Sequence, residues 1–259
     1  MKTHKLAWLA ALAFGAAGCI DAETTVTVKP DGSGTIGQKI VMSQEAVAQM
    51  RSMAAAFDTS GKPFSFYDEE NLKTQAAKLG EGVTYVSSEP IVSEAGEGWT
   101  VVYAFTDVTK LRLNSSPEES APGGGEGAEE QEEPIVFRFE KGEPSVLTIV
   151  SPENPKTETP EAAESSPEEL EQMRTCMKGL RVKIAIVVDG EIIETNAEHR
   201  DGSTVTLMEM DFAGLLADEA RFQKFATARP ENMEAAKELM KGMPGVKVES
   251  ADEVTIRFK

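Results

Sequence analysis

The chain has 259 residues and a formal net charge of −18, from 44 acidic against 26 basic side chains. That excess of carboxylates excludes nucleic acid as a partner and argues against adhesion of the protein surface to anionic lipid. The length suits two small domains or one large one.

The first element is an export leader. Lys2 and Lys5 precede the apolar run Leu6–Phe14, and Gly15-Ala-Ala-Gly-Cys19 follows. A basic start, a short apolar core and small residues before the cut are the parts of such a leader. A nine-residue core is too short to span a bilayer, which needs roughly 20 residues. Ala16-Ala17-Gly18-Cys19 resembles the bacterial lipobox. That resemblance implies a diacylglycerol on the Cys19 sulfur, removal of residues 1–18 and acylation of the new amine. The membrane is then the expected partner, reached through lipid on Cys19, and the localisation is extracytoplasmic. Loss of Lys2 and Lys5 with the leader makes the mature chain two units more negative than −18. Such a body would be tethered by its lipids and held off an acidic membrane.

Val26 and Val28 alternate with threonines, Pro30-Asp-Gly-Ser-Gly34 turns the chain and Ile36–Met42 returns. This is a hairpin pattern. The Asp31-Gly-Ser-Gly34 turn lacks the ligand series of a calcium hand. Ser43 caps a helix carrying Val47, Met50 and Met53 and ending near Phe57. Phe64, Phe66 and Tyr67 lie in the next loop, where pinning it to the core is preferred over lining a ligand pocket. Asp68 caps a second helix through Leu72, Ala76 and Leu79, closed by Gly80. Strands are predicted over 83–93 and 99–107, joined by a turn at Gly96-Glu-Gly98.

Residues 115–133 hold seven glutamates and no large apolar side chain. With nothing to bury, this stretch is expected to be a disordered acidic insertion. Ile135–Phe139 and Pro144–Val150 form another hairpin, and 151–165 read as a Pro/Glu-rich linker. Ser166-Pro-Glu-Glu169 starts a helix with Leu170, Met173, Met177 and Leu180 on its apolar face. Val182–Val188 is a strand, Asp189-Gly190 turns it and Ile192-Ile193 continues. Thr204–Met208 is a further strand. One helix is predicted from Asp211 through Phe212, Leu215, Leu216, Phe222 and Phe225, and another from Arg229-Pro230 to Gly242. Val246–Val248 and Val254–Phe258 are strands.

The pattern predicts an α+β fold: antiparallel hairpins with amphipathic helices on one face. The expected organisation is an N-terminal α+β region over 19–114 and 134–150, interrupted at 115–133. A C-terminal α+β region over 166–259 follows the linker. Two loosely analogous halves around Asp31-Gly-Ser33 and Asp201-Gly-Ser203 would satisfy it, and so would one discontinuous β-rich layer.

No catalytic, cofactor or metal residues are assigned. His199 is the single histidine of the mature chain, and it stands beside Arg200 and Asp201 without a Gly-x-Ser-x-Gly elbow. His199 and Cys176 are too few to hold zinc. Cys176, next to Met177 and near Met173, is expected to be a buried free thiol. Nothing selects Glu191 and Glu194 for glycoside hydrolysis over ordinary solvation. A non-enzyme is expected: a binding or structural domain, or a carrier of lipid in an apolar interior. A hydrolase using surface carboxylates ranks third.

The lipobox cysteine, the Val26–Gly34 hairpin, the Val182–Asn196 segment and the stretch Gly202–Leu207 are together similar to the mycobacterial LppM-type lipoproteins. That resemblance implies an α+β body and an envelope glycolipid or protein as partner. It transfers no binding residue.

Overall fold

The computed structural model describes residues 20–57, 65–113, 134–151, 167–228 and 240–259. Strand β1 (Ile20–Val28) turns into β2 (Gly34–Ser43) through Asp31, whose carboxylate accepts the Ser33 N–H at 2.9 Å. Gly32 takes a φ of +86° there, open to glycine without strain. The Ser43 hydroxyl accepts the Ala46 N–H at 3.2 Å and starts helix α1 (Gln44–Phe57). Asp68 caps α2 (Glu69–Gln75) through the N–H groups of Glu70 and Asn71. Strands β3 (Thr84–Val92) and β4 (Gly96–Phe105) form the next hairpin.

Beyond 114–133 come β5 (Val136–Glu140) and β6 (Ser145–Val150). Leu113 and Ile135 flank that stretch and exchange two backbone hydrogen bonds, 3.3 and 2.8 Å long. Then follow α3 (Pro167–Met177), β7 (Arg181–Val188), β8 (Ile192–Thr195), β9 (Arg200–Asp201) and β10 (Thr204–Asp211). Short helices α4 (Ala213–Leu216) and α5 (Glu219–Thr227) precede β11 (Val246–Val248) and β12 (Glu253–Phe258).

The strands build two sheets. The larger runs β11-β10-β7-β1-β2-β4-β3, with β9 against β10; the smaller runs β5-β6-β12-β8. Strands β1 and β7 pair in parallel over Asp21–Val28 and Arg181–Val188, whereas the other pairs are antiparallel. The N-terminal and C-terminal regions therefore contribute strands to both sheets. Alternation fixes which face is inward. On the larger sheet, Val26, Ile36, Ile40, Tyr103 and Ile186 point in; on the smaller, Phe137, Leu147, Ile256 and Phe258 do. All belong to one contiguous core. Ala46 and Val47 of α1, Leu72 of α2 and Phe66 of the preceding loop join it.

The α+β class is as the sequence predicts, and three details differ. The parallel β1–β7 pair interrupts the run of antiparallel hairpins. The β3–β4 turn lies at Ser93–Gly96, where the Ser93 N–H donates to the Gly96 carbonyl at 2.9 Å. Gly98 is instead inside β4, where a Cβ would stand 1.9 Å from the Ile40 carbonyl oxygen of β2. The helix predicted across Phe212–Phe225 is broken, because Asp218 accepts the Arg221 N–H at 3.1 Å and caps a new helix. The two pieces stay packed through the Phe212 and Phe225 rings, 6.2 Å apart. Arg174 of α3 lies over the Phe222 ring at 4.6 Å and pairs with Glu219. Phe64, the acidic stretch, the linker and most of the helix predicted from Arg229 fall outside the described residues.

Candidate functional site

Cys19 lies outside the described residues, and β1 begins one residue later at Ile20. The Cys176 side chain is also outside them, although its backbone is in α3. His199 and Asp201 are not joined by a hydrogen bond or ion pair. The His199 carbonyl accepts the Thr206 N–H at 2.9 Å, and Asp201 pairs along the backbone with Thr204. Glu191 and Glu194 are both exposed. Glu194 faces Arg257 at 3.5 Å, and Glu191 is tied by its N–H to the Lys259 carbonyl at 2.8 Å. Hydrogen bonds from Ser33 hold the exposed Asp31 carboxyl below its ordinary range, which is the signature of a closed turn. No group of three or more His, Cys, Asp or Glu side chains that could hold a metal is present among the described residues. Among them, no helix is long and apolar enough to cross a membrane.

The outer face of the larger sheet carries charges in register. Lys247, Glu209, Lys183, Glu23 and Lys39 occupy one cross-strand row over five strands, alternating in sign. Lys247 meets Glu209 at 2.8 Å and Lys183 meets Glu23 at 3.3 Å. One row away, Asp21 takes Lys39 at 2.9 Å and Arg181 at 3.8 Å. The hydrogen bond from Lys247 lowers the Glu209 pKa against the opposing effect of burial, with Lys183 and Arg181 adding to it. Pairs this accessible contribute about 0.2–1 kcal/mol each. The row favours this strand register, since a one-residue slip would turn these charges to the apolar face and part each from its partner.

The inner face holds one polar side chain that packing alone does not explain. Gln38 is 8% exposed, between Thr24 of β1 and Val101 of β4 and flanked along β2 by Ile36 and Ile40. Its amide makes no hydrogen bond with the described residues. None of the fully enclosed side-chain polar atoms among them lacks a partner. The neighbouring Tyr103 is satisfied, with the hydroxyl donating to the Leu72 carbonyl at 2.9 Å. Sequence reading passed over Gln38, although it is the polar member of the apolar phase Ile36, Gln38, Ile40, Met42.

No protein-family description matches the chain, and no curated protein matches it. Among solved structures it is similar to the folded domain of LppM from Mycobacterium tuberculosis, determined by NMR. The identity is 8%, the overlap covers 94% of this chain and 92% of that one, and the TM-score is 0.33. The resemblance noted from the sequence thus has a weak structural counterpart over most of the chain. No residue correspondence is drawn from it.

Proposed function

We propose that the chain is a bacterial envelope lipoprotein, held to a membrane by acyl chains on Cys19, with a body that binds and does not catalyse. The observation that carries this reading is Ala16-Ala17-Gly18-Cys19 directly behind the nine-residue apolar core Leu6–Phe14. Each buried CH₂ contributes about 0.8 kcal/mol, so two or three acyl chains, palmitate among them, hold a protein firmly. The Cys19→Ser variant should leave the membrane fraction and lose incorporated palmitate, with its fold unchanged by circular dichroism. A Cys19→Ser protein that stays with membranes after a high-salt wash would refute the anchor.

A second reading, a lipid carrier, is favoured by Gln38. A buried glutamine among Ile36, Ile40 and Val101 is the kind of polar residue that orients a ligand in an apolar site. Mass spectrometry of organic extracts from the purified body, residues 20–259, tests it. Bound lipid at near one equivalent is expected. No lipid, under conditions where a control carrier keeps its own, would remove this reading and leave the anchor untouched.

A further inference from the structure

We infer that the sheet end bearing Ile20 faces the bilayer, and that Val92 of the β3–β4 hairpin enters the interfacial layer beside the anchor. The inference rests on the lipidation of Cys19 and adds a docking surface to it.

Consecutive Cα atoms are about 3.8 Å apart, so a lipidated Cys19 has no spacer before β1. Acyl chains on the cysteine sulfur and amine hold residue 19 at the headgroup level. Ile20 is half-buried and packed on the core, so the folded body starts where the lipid ends. A tethered body held off the surface would need a linker, and between Cys19 and β1 there is none.

The register shows what else lies at that level. Ile20 pairs with Met42, Met42 with Glu97 and Glu97 with Val92. These four residues form one cross-strand row across β1, β2, β4 and β3. At about 4.8 Å per strand, Val92 lies some 14 Å from the anchoring strand, at the same height. It is 77% exposed, more than the other exposed large apolar residues described, Val86 at 55% and Ile193 at 49%.

Two further features suit this end to a lipid surface. The ends of the hairpin tip are bonded internally: Ser93 and Gly96 exchange backbone hydrogen bonds, and the Gln44 amide donates to the Ser93 carbonyl at 2.9 Å. The Glu97 carboxylate is neutralised by both Arg51 guanidinium nitrogens, at 3.1 and 2.7 Å. On the other side of β1, Arg181 pairs in register with Asp21 and Asp211, one residue inward from the Ile20 row. The apolar residue stands on the β3 side, so the sheet leans that way. Glu94, exposed in the turn, favours a zwitterionic surface over an anionic one.

The experiment uses the full lipidated protein in phosphatidylcholine vesicles with brominated acyl chains, which quench nearby indoles. Val92→Trp is compared with Val86→Trp, placed six residues back on the same strand and about 20 Å further from the anchored end. Trp99, buried in β4, is the one native tryptophan of the mature chain and supplies a common background. The added emission of V92W should fall by about half or more, as for a residue 5–10 Å into the boundary, and that of V86W should not change. Equal quenching of both, or none of either, would overturn the inference. Unmodified Cys19 by mass spectrometry would remove anchor and docking surface together. Lipid present on Cys19 with V92W unquenched removes the docking surface alone.

Discussion

At the residue scale, Tyr103 ties chemistry to stability most directly. It is fully buried on the inner face, and burial, with the nearby Tyr85 hydroxyl adding, raises its pKa from 10.0 to about 12. A raised pKa means that the folded state holds the proton longer than the unfolded state. Its contribution to stability is therefore complete below pH 10 and is lost as pH rises towards about 12. Urea midpoints measured across that window should fall for the native protein. Tyr103→Phe should start about 1 kcal/mol lower, through loss of the bond to Leu72, and fall less steeply. A steeper fall in the variant would show that another group governs the alkaline limb. Gln38 makes the complementary point about legibility. Its position in the apolar phase of β2 is visible in the sequence, but its lack of a partner among the described residues depends on what β1 and β4 bring alongside. No spacing along one strand reports that.

Elements were legible where local chemistry decided them. Asp68, Ser43 and the Asp31 turn act as the residue types predict, because caps and tight turns are settled within three or four residues. Pairings between distant strands were not legible. Val182–Val188 is apolar enough to read as a strand, but nothing local says that it lies parallel to β1. Gly96 and Gly98 were misplaced for a related reason: glycine signals a turn and a close backbone approach equally well, and the approach of Ile40 comes from another strand. The edge strand β3 combines Glu89, Pro90 and a register shift between Tyr85 and Ser87, features that discourage further strand pairing. β12 has the opposite character, lying between β6 and β8 with Val254, Ile256 and Phe258 buried. Burial of such a side chain contributes about 1.5–3 kcal/mol, so the three together rival the stability of a whole domain. Deleting residues 253–259 should abolish cooperative urea unfolding. A deletion product that kept its sigmoidal transition would show that the smaller sheet is dispensable.

At the scale of the whole molecule, the charge read from composition is distributed unevenly. The outer face of the larger sheet alternates signs, so its carboxylates are matched locally. Residues 115–133 alone supply seven glutamates to the acidic excess. The proposed anchor rests on the leader residues alone, because Cys19 lies outside the described residues. That Val92 lies level with Ile20 was not legible, since it depends on the register of β1, β2, β4 and β3. The central place of β1 has a consequence in time. Its neighbour β7 is synthesised about 160 residues later, so β1 keeps an open side through most of translation and export. Enzymes that would acylate Cys19 and cut before it need extended chain around that residue. On the proposed lipidation, the interval before β7 closes against β1 would give them that access, so that maturation at Cys19 would come first and completion of the sheet second.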